Sequence, residues 1–281
     1  MILRLIIRLI PLSLVAVNFV SEGVVKKEEL LARWSFDEGN GTHTVETSGS
    51  GVNNATLIGA GWGSGVNAVS QGSLDLSAGS GYALVKSHPN LQARIGFSFM
   101  LWFKSNGQPD DYAQILSKRD GTLSPYFVQV EQGGNRVKSM FRFFSSYIDN
   151  GAFSFNPFQW HFLTSTYDGE RYKTYIDGVL FGSILKSDPV YVENGDLGIG
   201  GSPDGSNLFK GWIDDVRLYK SALSSQDVEI AYGDGYGDFG PSVDVVVDAA
   251  SNSFPIPVVL TFRDLLSNPV SVSDFNASDS N

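Results

Sequence analysis

Phe97-Ser98-Phe99-Met100-Leu101-Trp102-Phe103-Lys104 is the stretch that decides the fold. Successive side chains of a strand point to opposite faces. Phe97, Phe99, Leu101 and Phe103 therefore share one wholly apolar face, and Ser98, Met100, Trp102 and Lys104 share the other. The same period of two recurs on both sides of this run. Upstream, Ala32, Trp34 and Phe36 alternate until Asp37-Glu38-Gly39-Asn40-Gly41 breaks the strand, and Leu74-Asp75-Leu76 is followed by Gly79-Ser80-Gly81 and a strand at 82–85. Downstream, residues 126–130, 140–144, 160–167 and 172–176 continue the pattern. Asp177-Gly178 reads as a two-residue hairpin turn into 179–183. Only residues 224–232 suggest a helix, with Ser224 as its N-cap. Many short strands joined by glycine-rich turns predict an all-β, two-sheet antiparallel jelly-roll sandwich over residues 28–232.

The chain has 281 residues, 42% of them hydrophobic, so a full core can be built. The formal charge of −10 disfavours nucleic acid and anionic lipid but suits divalent cations and neutral ligands such as glycans. There is no cysteine, which excludes disulfide scaffolds, thiolate metal sites and cysteine nucleophiles. Residues 1–23 combine a basic start, a short apolar run interrupted by Pro11, and a polar exit. That describes a secretory signal peptide, with a signal anchor as the alternative, and it predicts a secreted or cell-surface protein with no membrane span in the mature chain. Residues 233–241 read as a Gly/Asp linker, and 242–281 contain strand-like runs too few to close a second core.

Three separated segments carry a resemblance. They are Trp34-Ser35-Phe36-Asp37-Glu38-Gly39-Asn40-Gly41-Thr42 with Glu46 and Ser48-Gly49, then Trp160-His161 through Asp168-Gly169 and Tyr175-Ile176-Asp177-Gly178-Val179, and finally Gly211-Trp212-Ile213-Asp214-Asp215-Val216-Arg217-Leu218-Tyr219. Together they resemble laminin-G-like (concanavalin A-like lectin/glucanase) domains of large extracellular bacterial proteins, over roughly residues 30–232. The tail is similar to the start of bacterial immunoglobulin-like repeats. The resemblance implies a binding module rather than an enzyme, with its first and last strands paired. It departs from the family at Glu46, where Asp is usual.

In the last segment Ile213, Val216 and Leu218 are the apolar positions, so the period slips at Asp214-Asp215, as a β-bulge requires. Calcium takes six to eight oxygen ligands, and if the first and last strands pair, the acid-rich clusters meet. The residues expected to hold a structural calcium are Asp37, Asn40, Glu46 and Asp215, with Asp214 as a neighbour; the alternative is that these acids cap turns or face water. For a glycan, the ring faces of Trp102, Tyr147, Phe153, Phe155, Trp160, Tyr112 and Tyr126 are candidates, with Trp102 first because it lies opposite the Phe97–Phe103 face. Aromatic residues at strand spacing are mostly core, which is the alternative for each of them. Catalysis finds no support. No Glu-x-Asp-x-x-Glu strand, nucleophile elbow or phosphate loop occurs, and His43, His88 and His161 lack metal-ligand spacing. The expected function is carbohydrate binding, or binding of an extracellular matrix or cell-surface ligand. The alternatives are a protein–protein adhesion module or, third, a sandwich-fold glycanase or lyase.

Overall fold

The computed structural model describes residues 26–236, apart from 67–69, 122, 132 and 189, together with two short strands near the C-terminus. The expected signal peptide at 1–23 lies outside the described residues. Of the expected immunoglobulin-like segment, only the antiparallel pair Phe262–Arg263 and Pro269–Val270 is described. No helix among the described residues is long and apolar enough to cross a membrane.

Residues 24–236 hold two antiparallel sheets, of eight and nine strands among the described residues. The first sheet runs in the order Val179–Leu185, Arg171–Ile176, His161–Tyr167, Phe97–Ser105, Gly211–Tyr219, Ser73–Asp75 and Gly61–Gly63, with Leu30–Trp34 also paired to Gly211–Tyr219. The second runs Tyr147–Asp149, Arg136–Arg142, Leu123–Val130, Gln114–Asp120, Asp196–Ile199, Tyr82–Val85, Ala55–Ile58 and His43–Thr44, with Phe153–Ser154 also paired to Arg136–Arg142. This is the sandwich that the strand spacing predicts.

The core lies between the sheets and is rich in aromatic rings. Phe97, Phe99, Leu101 and Phe103 all face it and are buried. Across the gap, Phe99 stacks on Phe141 with centroids 6.2 Å apart, and Phe97 meets Tyr126 at 5.1 Å. Among these rings the hydroxyls of Ser139 and Ser165 lie 2.7 Å apart, a hydrogen bond between the two sheets. Trp34 and Phe36 are fully buried, and Trp34 sits in register with Val216 on the last strand. The Trp34 indole N–H donates to the Asn53 carbonyl at 2.8 Å, which satisfies its polar atom inside the core.

Three local expectations hold. Asp177 and Gly178 both have positive φ, 49° and 79°, as a two-residue turn of type I′ needs. In the pairing of Gly211–Tyr219 with Phe97–Ser105, Asp214 faces Trp102 and Arg217 faces Met100, so Asp215 and Val216 together oppose Leu101. Asp215 takes φ 45°, and the expected bulge is there. Ser224 caps the helix: its hydroxyl accepts the Asp227 N–H, and the Asp227 carboxylate accepts the Ser224 N–H at 2.8 Å. The helix runs Ser225–Tyr236, longer than expected, and takes in the first residues of the expected linker. Its later turns are held down because Ala231 and Tyr232 pack against the outer face of the first sheet.

Candidate functional site

The two acid clusters that the sequence brings forward are built into the pairing of the first and last strands. Asp215 is buried and shared by two guanidiniums. Arg33 Nε donates to its Oδ1 at 2.7 Å, Arg217 Nε donates to the same oxygen at 3.0 Å, and Arg217 Nη2 donates to Oδ2. Burial alone would raise the Asp215 carboxyl, but Arg217 and then Arg33 outweigh it and hold it down to about 2. Glu46, also buried, spends its carboxylate on the backbone N–H groups of Arg33 and Ser48 and on the Ser50 hydroxyl. Asp37 is exposed and accepts the Gly72 N–H at 3.0 Å. Asn40 is exposed at the loop tip.

These four side chains do not fit calcium as a set. Among the described residues no group of three or more acids or histidines is placed to hold a metal. The physical reason is that both oxygens of Asp215 face arginine, and a cation there would be repelled by two fixed positive charges. Asp214, the neighbour, is different. It is fully buried, and its Oδ2 accepts from Val66 N at 2.9 Å and Ser70 Oγ at 2.6 Å, while its Oδ1 has no hydrogen-bond partner among the described residues. Burial chiefly, with the nearby charges of Asp215 and Asp37, pushes its carboxyl up to about 7 against the hydrogen bonds from Ser70 and Val66.

The expectation for Trp102 is corrected by the packing. Trp102 does leave the inter-sheet core, but the helix Ser225–Tyr236 covers it. Its ring stacks on Tyr232 at 5.5 Å and meets Phe162 at 4.9 Å, and it has no exposed surface. No ring face is left for a sugar. Phe153, Phe155 and Tyr126 are buried as well. Trp160 is half-buried and shares the Lys104 ammonium with Trp212, at 4.8 and 4.5 Å from the ring centroids. Tyr112 is exposed at a turn with φ 64°.

Tyr147 remains, and it belongs to a larger group. Along Arg136–Arg142, Val137, Phe141 and the following Phe143 face the core, so Lys138, Met140 and Arg142 face outward. By the same alternation Phe127 and Gln129 face outward on the neighbouring strand. Nothing equivalent to the helix covers this face among the described residues. Tyr147 lies across it, its hydroxyl accepting the Ser124 N–H at 3.2 Å and its ring meeting the edge of Phe127 at 5.7 Å. The Arg142 guanidinium sits 4.7 Å from the Tyr147 ring and 5.0 Å from the Tyr191 ring. Phe144, 69% exposed, meets Tyr191 edge-on at 6.1 Å. On the central strands of the same sheet, beside the turn between Gln114–Asp120 and Leu123–Val130, Arg119, Asp120, Asn194, Asp196 and Asp204 line a shallow cleft of about 370 Å³. The aromatic group was hard to read from sequence. Phe127, Arg142 and Tyr191 lie on three segments that only the sheet order brings together, and the one available signal was the outward phase of residues 140–144.

Two antiparallel sheets packed face to face in this order define the class of concanavalin A-like sandwich domains. Residues 77–229 match the model of the concanavalin A-like lectin/glucanases superfamily, and the chain belongs to it. A curated relative, the adhesion G-protein coupled receptor V1 of Danio rerio, is 28% identical over 148 residues, which is 49% of this chain and 2% of the receptor. Among solved structures, the fold is shared with domain 4 of AbnA, an extracellular arabinanase of Geobacillus stearothermophilus, in complex with arabinotriose, at TM-score 0.58 and 20% identity over 73% of this chain and 98% of that one. It is shared also with the binding domain of botulinum neurotoxin serotype D, at TM-score 0.59 and 17% identity over 74% of this chain and 52% of that one.

Proposed function

We propose that this chain is a carbohydrate-binding module of a secreted or cell-surface protein, that its ligand lies on the outer face of the second sheet, and that the module itself does no chemistry. The observation that carries this reading is the row of partly exposed rings, Phe127, Tyr147, Tyr191 and Phe144, on a sheet face that no other element among the described residues covers. Sugars pack their axial C–H groups on such rings and take hydrogen bonds from a few fixed polar groups beside them. The likeness to an arabinanase domain crystallised with arabinotriose lends support, and the basic-then-apolar start of the chain supports export. Affinity gel electrophoresis through neutral and acidic plant and marine polysaccharides tests it. Retardation by at least one is expected, and unretarded migration through all of them would overturn it.

Protein–protein adhesion is the second reading. The edge strand Val179–Leu185 exposes Val179, Leu180, Phe181 and Leu185, and an apolar sheet edge is a template for another chain. Sedimentation equilibrium of wild type and Phe181→Lys tests it; association that the variant abolishes would favour adhesion between copies.

We propose a structural calcium not at the expected set but at Asp214, their neighbour, within reach of the charge of Asp37, because among the described residues the buried Asp214 Oδ1 has no hydrogen-bond partner and a hard cation would supply one. A calcium-dependent rise in melting temperature, present in wild type and absent in Asp214→Asn, is the expected result. The same melting curve in calcium and in chelator would exclude it.

A further inference from the structure

We propose that Arg142 selects glycans whose sugars carry a carboxylate, so that the module's ligands are uronate-containing polysaccharides; this rests on the carbohydrate-binding reading above and narrows it. The argument starts from charge. The chain carries ten more acidic than basic side chains, and most of its cations near this face are already matched. Lys138 pairs with Glu131 at 3.0 Å and reaches toward Asp149 at 3.9 Å. Lys186 pairs with Asp188. Arg142 has no carboxylate within ion-pair distance among the described residues, although acids are abundant elsewhere on the surface. Its Nε is buried and has no hydrogen-bond partner among the described residues.

An arginine in that condition is costly unless something else satisfies it. The two tyrosine rings satisfy the charge in part, through their electron-rich faces, but they accept no N–H. They also fix the plane of the guanidinium, because it lies between Tyr147 and Tyr191, and Tyr147 is itself tied to Ser124 N. What remains, since the buried Nε is out of a ligand's reach, is the fork of the two terminal guanidinium nitrogens, half-buried beside partly exposed aromatic rings. A planar carboxylate takes two parallel N–H bonds from such a fork, a geometry that a sugar hydroxyl cannot match. The negative field of the whole chain opposes polyanions, so selection must come from this short-range pairing rather than from long-range attraction.

The test is affinity gel electrophoresis of the full chain through polygalacturonate, alginate, hyaluronan and unsulfated heparosan. Each is compared with its methyl-esterified form, and neutral arabinan, xylan and β-glucan are run alongside. Wild type should be retarded by at least one polyuronate and retarded at least tenfold less by its ester. Arg142→Gln should lose that retardation, and Arg142→Lys, which keeps the charge but not the fork, should keep only part of it. Melting curves of both variants report whether they fold. Equal retardation by acid and ester, or by wild type and a folded Arg142→Gln, would overturn the proposal. So would retardation by neutral glycans alone, which leaves the carbohydrate-binding reading standing. Migration unretarded by every glycan would overturn both. If Arg142→Gln does not fold, the comparison of acid with ester on wild type still decides the question.

Discussion

The outer faces of the two sheets are built by the same alternation and end in opposite states. On the first sheet, Met100, Trp102, Phe162, Tyr175 and Tyr219 point away from the core and are buried again, because the helix Ser225–Tyr236 returns over them with Leu223, Val228 and Ala231. On the second sheet, Phe127, Met140, Arg142 and Tyr147 point away from the core and stay partly exposed. Strand period tells which side chains leave the core. It does not tell whether they reach water, since that depends on what the rest of the chain lays over them. An aromatic residue beneath a helix contributes stability, whereas one on an open face is free to contribute binding.

The largest expected effect separates the two faces by stability. Trp102→Ala should destabilise the domain by about 3–5 kcal/mol in urea unfolding, because a large buried ring leaves a cavity beneath the helix. Tyr191→Ala, on the open face, should cost about 1 kcal/mol or less. If Trp102→Ala costs as little as Tyr191→Ala, the helix does not cover the first sheet in solution. The next effect runs the other way. Tyr147→Ala and Tyr191→Ala should each weaken glycan retardation about tenfold or more, since a lost ring contact is worth roughly the 1.4 kcal/mol of a tenfold change. Trp160→Ala, on the first sheet, should leave retardation unchanged.

A smaller contrast lies within one strand, between Asp214 and Asp215. The Asp215 carboxyl is lowered from 3.8 to about 2, so the stability it contributes is present above pH 3.8 and is lost as pH falls through about 2. The Asp214 carboxyl is raised from 3.8 to about 7, so its contribution is full below pH 3.8 and is lost as pH rises through about 7. Without calcium, wild type should therefore lose stability between pH 4 and pH 7 relative to Asp214→Asn, as followed by denaturant midpoints. Parallel profiles for the two proteins would show that Asp214 titrates normally.

Much of this fold is legible in short stretches of sequence. The Phe97–Phe103 alternation, the Asp177-Gly178 turn, the Ser224 cap and the slip at Asp214-Asp215 are local signals, each with a local physical cause. The site was less legible because its parts are non-local. Trp102 looked available since the helix that buries it starts more than a hundred residues later. Asp215 looked like a metal ligand, although Arg217 stands two positions on along the same strand, and Arg33 arrives only through the pairing of first and last strands. Nothing in the sequence marks Arg142, because its lack of a carboxylate partner among the described residues is a property of the folded surface, which no run of residues displays.

Hydroxyl-radical footprinting of the wild-type chain, with and without the most strongly retarding polysaccharide, compares the two faces in one experiment. Oxidation of Tyr147, Tyr191 and Phe144 should fall when the glycan is present, while Trp160 and Trp212 on the first sheet should oxidise at the same rate in both samples. Protection of Trp160 and Trp212, with Tyr147 and Tyr191 unchanged, would contradict the account and move the binding surface to the first sheet.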